Sequence, residues 1–186
     1  MGTRTSHPPG TFSWVDLNTP DQEASKRFYG EIFGWEYEDR DAGPGIVYSM
    51  ARVGGEDVAA MSPPPPGDES PPHWNNYVTV EDADATAARA AEAGGSVIAE
   101  AFDVFDAGRM AVLQDPTGAF FMVWQPGENI GAGRVNEPGC LSWNELGTTD
   151  VDGAARFYGE LFGWTSEAMD TGGGPAYTIV KVGERS

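Results

Sequence analysis

Asp16 is the sharpest candidate in this chain for proton chemistry. In Thr11–Asn18, Val15 and Leu17 fall on one face, while Phe12, Trp14, Asp16 and Asn18 fall on the other, because side chains alternate along a strand. A carboxyl among apolar neighbours loses hydration, which favours its protonated form and suits it to general acid or base work. The competing reading is a hydrogen-bonded carboxylate with a structural role. His73 follows Pro71-Pro72 and has the parity of Asn75, Tyr77 and Thr79. It is read either as a surface histidine at a strand mouth or, with Asp16 and an uncharged third group, as a metal ligand. With two histidines and one cysteine, neither a Ser-His-Asp nor a Cys-His arrangement can be assembled. Cys140, alone, excludes an intrachain disulfide and a cysteine zinc site. Gly43-Pro44-Gly45 and Gly172-Gly173-Gly174 lack the helix and the Lys-Ser/Thr of a phosphate loop.

The elements that must position these residues follow from periodicity and punctuation. After the first strand, Thr19-Pro20-Asp21-Gln22 reads as a helix start with Thr19 as cap and Pro20 in the first turn. Ala24, Phe28 and Ile32 form one apolar stripe, which puts Phe28 and Phe33 beneath the sheet; Gly34 ends the helix. Strands are expected at 35–38, 46–53 and 56–61, giving a β-α-β-β-β unit. The proline-rich stretch 63–72 marks a boundary. The order then repeats: a strand at 73–80, an alanine-rich helix at 82–92 closed by Gly94-Gly95, and strands near 96–99, 109–114 and 119–124. Asp115-Pro116-Thr117-Gly118 is a hairpin turn between the last two.

The strongest organisational signal is a repeat. Residues 13–35 return at 142–164, a shift of 129 with 13 of 23 positions identical, including Trp14/Trp143, Phe28/Phe157, Tyr29/Tyr158, Gly34/Gly163 and Trp35/Trp164. Glu145 takes the place of Asp16. The third unit is expected to have a strand at 139–146, a helix begun at Thr149–Asp152, and strands at 165–170 and 176–182. Ser186 corresponds to Asp57, so the partner of the Val58–Met61 strand is absent from it.

The formal charge is −18, from 29 acidic and 11 basic residues. Such a surface disfavours nucleic acid and anionic lipid. No segment has membrane-spanning length or a signal core, which leads to the expectation of a cytoplasmic protein.

Tandem β-α-β-β-β units carrying FYGxxFGW after an alternating strand, with DPTG before a closing strand, resemble the vicinal oxygen chelate superfamily of glyoxalases, bleomycin-resistance proteins and dioxygenases. More narrowly, the chain resembles its actinobacterial tandem glyoxalase-like members, often labelled hydroxylases or antigens. The resemblance implies an α+β fold in which two modules, 10–62 and 73–125, form one domain (10–125) with a curled-sheet cup. A linker at 126–138 and a partial second domain at 139–186 follow.

Family members that hold a metal take one ligand from the first and last strand of each module. Carried onto this chain, those positions fall on Trp14, Met61, Asn75 and Met122. An indole N–H can only donate and thioethers suit soft metals, so no metal or other cofactor is expected. By alternation Asp16 and Asn18 join Trp14, Tyr77 joins Asn75, and Phe120 and Trp124 join Met122. The lining would be Trp14, Asn18, Met61, Asn75, Tyr77, Phe120, Met122 and Trp124 around Asp16, an apolar site with sparse polar groups. The reading is a protein that binds or transforms a small aromatic or polyketide-like molecule without a metal. The alternatives are a metal-dependent glyoxalase- or dioxygenase-type enzyme using His73 and Asp16, and a protein-interaction module. The incomplete third unit is expected to be the least ordered part, or to be completed by a second subunit.

Overall fold

The structure, a computed structural model, describes residues 2–173 and 177–183. Its contacts gather into two compact units. The first holds the N-terminal stretch through His7, Phe12–Tyr77 and Ile130–Asn144; the second holds Pro8–Thr11, Val78–Asn129 and the chain from Glu145 onward. The fold class is the expected one, mixed α+β, with three helices and two runs of β-α-β-β-β order among the described residues.

In the first unit, β1 (Phe12–Asn18) leads to α1 (Gln22–Phe33), β2 (Glu36–Asp41), β3 (Val47–Val53) and β4 (Glu56–Ser62). β5 (His73–Thr79) begins in this unit and ends in the other. The strand order is β2-β3-β4-β1-β5, with β1 and β4 parallel and the β2-β3 and β3-β4 pairs antiparallel. The N-cap of α1 is Asp21, not Thr19. Its carboxylate accepts from the Ala24 amide at 2.9 Å, while Thr19 Oγ1 accepts from the Asp21 amide at 3.3 Å. Aspartate outranks threonine as a cap, and Pro20 is left outside the helix. Gly34 closes α1 at φ 68°, a left-handed turn that costs glycine nothing.

The face of α1 that rests on the sheet differs from the expected one. Gln22 donates to the carbonyls of Val47 (2.9 Å) and Met61 (3.0 Å), Lys26 pairs with Asp39 (2.8 Å), and Tyr29 stacks on Trp35 with centroids 5.6 Å apart. These residues share one side of the helix and anchor it. The Ala24–Phe28–Ile32 stripe therefore points away, and Phe28 and Ile32 are each 56% exposed. Phe33 is exposed too, so neither phenylalanine lies beneath the sheet.

In the second unit, α2 (Ala83–Glu92) is followed by β6 (Ser96–Val104), β7 (Gly108–Gln114) and β8 (Phe120–Pro126), antiparallel in the order β8-β7-β6. The β7-β8 turn is built by Asp115, whose Oδ1 accepts from the amides of Thr117 and Ala119 at 2.8 and 2.9 Å. α3 (Val151–Phe162) is capped by Asp150 and ended by Gly163, as α1 is by Asp21 and Gly34. The antiparallel pair β9 (Thr165–Met169) and β10 (Tyr177–Lys181) completes the unit. Phe157 and Leu161 of α3 join Ala83, Ala87, Ala90, Leu113, Phe121 and Val123 in one buried cluster. The helix of the third module is thus built into a core.

Residues 139–146 form no strand. β1 is a strand because β4 and β5 flank it; its counterpart has neither neighbour, and an unpaired ladder leaves backbone groups without partners. The 130–144 segment instead bonds to β1 and β4 of its own unit: Ala132 donates to the Ser13 carbonyl at 2.7 Å and Gly133 to that of Asp57 at 2.8 Å. His7 has its Nε2 2.8 Å from the Ala132 carbonyl.

Candidate functional site

The first unit gathers its polar side chains around Asp16, which is 3% exposed. Asp16 Oδ1 accepts from Asn75 Nδ2 at 2.8 Å. Oδ2 accepts from the hydroxyls of Tyr48 and Tyr77, both at 2.8 Å. Trp14 Nε1 donates to the Tyr48 oxygen at 2.9 Å. An indole N–H can only donate, so the Tyr48 proton is directed at Asp16 and the chain Trp14→Tyr48→Asp16 has one polarity. Alternation explains the assembly: Trp14 and Asp16 come from one face of β1, Asn75 and Tyr77 from one face of β5, and Tyr48 from β3.

Burial pushes the Asp16 carboxyl above the usual carboxylate range, against the opposing pull of the Asn75, Tyr48 and Tyr77 hydrogen bonds. The Tyr48 and Tyr77 phenols are pushed well up, by burial first and by the Asp16 charge second. Both phenols are thus kept as neutral donors to the acid. Chemically it is a desolvated carboxyl that can give or take a proton, set among hydroxyl and amide donors. Tyr48 and Asn75 are its half-buried members, so their side offers the approach from solvent.

The residues expected to line the site divide. Trp14, Asp16, Asn75 and Tyr77 come together, and Asn18 is buried on the same face of β1 with its Oδ1 lacking a partner among the described residues. Met61 is placed elsewhere. It pairs with Leu17, whereas Ala60 pairs with Asp16, so Met61 is fully buried on the opposite face. A thioether on the Asp16 face comes from Met50 of β3, which pairs with Ala60. Phe120, Met122 and Trp124 lie on β8 in the second unit; Phe120 is exposed, the other two are buried, and Trp124 Nε1 donates to the Asn129 carbonyl at 2.8 Å.

Sequence reasoning missed Tyr48. A signal for it existed, because the repeat carries the pair: Tyr177, the counterpart of Tyr48, donates to Glu145, the counterpart of Asp16, at 3.0 Å. Both pairs are separated by 32 residues.

The donor set does not suit a divalent cation. Asp16 is the one carboxylate in the hydrogen-bonded group, and both its oxygens already accept bonds from neutral donors. His73 has its Nδ1 2.8 Å from the Pro71 carbonyl. Among the described residues no three His, Cys, Asp or Glu side chains gather where they could hold a metal.

The β-α-β-β-β order and the acid-centred strand face define a class. Residues 11–123 match the Glyoxalase/Bleomycin resistance protein/Dioxygenase superfamily, and the chain belongs to it. It is 46% identical to the CFP32 proteins of Mycobacterium tuberculosis and Mycobacterium bovis over 187 residues, covering 99% of this chain and 72% of theirs. It is also 38% identical to the anthracycline biosynthesis proteins DauV of Streptomyces sp. and DnrV of Streptomyces peucetius, covering 86% of this chain and 62% of each. This chain therefore spans less than two thirds of the Streptomyces relatives. Among solved structures, the Mn(II)-bound glyoxalase from Novosphingobium aromaticivorans superposes with a TM-score of 0.62 at 17% identity, covering 85% of this chain and 54% of that one. A 4-hydroxymandelate synthase variant from Streptomyces coelicolor gives 0.57 at 13% identity, covering 94% and 63%. At these identities the likeness concerns the fold alone. No described helix is long and apolar enough to cross a membrane.

Proposed function

We propose that the first unit binds a small, hydroxyl-bearing aromatic or polyketide-like molecule at the Asp16 centre, without a metal, and that Asp16 is the group that exchanges a proton with it. The observation that carries this reading is the convergence of Tyr48, Tyr77 and Asn75 on one buried carboxyl. The buried Asn18 Oδ1, without a partner among the described residues, is an acceptor suited to a ligand hydroxyl. The names of DauV and DnrV support the ligand class, since anthracyclines are hydroxylated polycyclic aromatics. Trp14 supplies an indole whose emission reports on the site.

Titration with a hydroxyanthraquinone, followed by tryptophan fluorescence, tests the proposal. Saturable quenching is expected, weakened about tenfold by Asp16→Asn or Tyr48→Phe, the loss of roughly 1.4 kcal/mol that one charge-assisted hydrogen bond commands. A chelator should leave the affinity unchanged. Binding that disappears on chelation and returns with a divalent cation would establish the metal-dependent alternative instead.

A further inference from the structure

The two copies of the repeated helix differ in the burial of one stripe. Phe157 and Leu161 of α3 are 2% and 3% exposed, whereas their counterparts Phe28 and Ile32 in α1 are each 56% exposed. The helices otherwise agree in cap, C-terminal glycine and aromatic order. Tyr29 stacks on Trp35 at 5.6 Å, and Tyr158 on Trp164 at 5.5 Å.

What covers α3 is the module at 73–125. Its alanine-rich helix presents Ala83, Ala87 and Ala90, and its strands present Leu113, Phe121 and Val123. Gly95 completes the seat: a Cβ there would lie 2.9 Å from the Phe157 ring and 2.8 Å from the Gln114 carbonyl. A phenylalanine on the outer stripe of this helix type is thus received by a seat of alanines closed by a glycine.

We propose that the outer stripe of α1, centred on Phe28 and Ile32, is a docking face for a second module of the kind that residues 73–125 form, with its alanine-rich helix seated on Phe28. The acid–phenol pair also distinguishes the two copies. In the first unit, a module of that kind completes the pair, because β5 brings Asn75 and Tyr77 to Asp16 and Tyr48. The Glu145–Tyr177 pair repeats the acid–phenol bond but is exposed. The mycobacterial relatives, of which this chain covers 72%, have room for one more unit of that size. A second copy of this chain is a poorer occupant, since its own seat already holds α3.

Thiol labelling tests the proposal independently of any ligand. Phe28→Cys is made in a Cys140→Ser background, with Phe157→Cys as a buried reference. The aligned position of intact mycobacterial CFP32, and of CFP32 cut where the match ends, is changed in the same way. Phe28→Cys should react at least tenfold faster than Phe157→Cys in this chain. The intact relative should be protected, and the shortened relative should regain fast labelling. Equal labelling of intact and shortened CFP32 would overturn the proposal. So would protection of Phe28→Cys that grows with the concentration of this chain, which would assign the face to a second copy.

Discussion

Replacing Asp16 probes the centre of the first unit most directly. Asp16→Ala deprives three donors of their acceptor. Tyr77 is buried and loses an acceptor at 2.8 Å, which costs about 1–3 kcal/mol at a buried site. Tyr48 and Asn75 are half-buried and recover part of their hydration, adding roughly 1 kcal/mol together. A loss of about 2–4 kcal/mol is expected by urea denaturation, a large part of a domain's stability. Asp16→Asn keeps an acceptor oxygen and should cost less. It also isolates the proton. The folded carboxyl has its pKa raised by burial, so between the ordinary carboxylate value and the raised one the folded chain holds a proton that the unfolded chain has released. Stability then falls as pH rises through that window and levels off above it. The gap between the native chain and Asp16→Asn must therefore move against the native chain with rising pH, while slopes from Asp39 and Glu38, lowered by Lys26 and Arg40, cancel in the difference. A native chain that gains on Asp16→Asn as pH rises would refute the reasoning, because the carboxylate would then be the form the fold prefers.

The two copies of the repeat supply further tests. Phe157→Ala should lose about 3–5 kcal/mol as a core truncation and Phe28→Ala under about 1 kcal/mol; equal losses by chemical denaturation would contradict the burial contrast. Gly10 and Gly139 are register partners that accept from Trp164 and Trp35, each at 2.7 Å. Their φ values are 80° and 75°, and an added Cβ would meet the Phe162 and Phe33 carbonyls at 3.2 and 3.1 Å. Gly10→Ala and Gly139→Ala should each cost about 1–2 kcal/mol and alter the near-ultraviolet tryptophan signal; a neutral effect at either position would show that the turn is not required. Gly95→Ala should destabilise by about 1–3 kcal/mol through overpacking against Phe157, and Gly95→Ala combined with Phe157→Ala should cost less than the sum of the two changes.

The elements were legible because each depends on its neighbours in sequence. Alternation announced β1 and β5, and the helix ends were punctuated by Gly34, Gly163 and the acidic caps, although competition between Thr19 and Asp21 shifted one start by two residues. What could not be read locally was which side of a helix meets the sheet. The Phe28–Ile32 stripe looks like a core face, but Gln22, Lys26 and Tyr29 hold α1 down by polar bonds and stacking that no hydrophobic period reveals. Register was the second obscurity. Counting to Met61 lands one residue from Ala60, and a one-residue slip moves a side chain to the other face.

The repeat separates what the strands encode from what their surroundings add. Glu145 and Tyr177 keep the acid–phenol bond at 3.0 Å although 139–146 forms no strand and the pair is exposed. That bond is therefore a property of the repeated unit, independent of burial. Asn75, Tyr77 and the covering face of β5 are not repeated in the third module; they come from the module that follows the first. Burial raises the proton affinity of Asp16, and the hydrogen bonds from Asn75 and Tyr77 of that second contributor and from Tyr48 of the first oppose it, so the chemistry of the centre draws on both modules. Removing either phenol bond, by Tyr77→Phe on β5 or by Tyr48→Phe on β3, should accordingly raise the proton affinity of Asp16 further, and Tyr48→Phe should in addition deprive the Trp14 indole of its acceptor. An Asp16 pH response that Tyr77→Phe leaves unchanged would show that the second module takes no part in it.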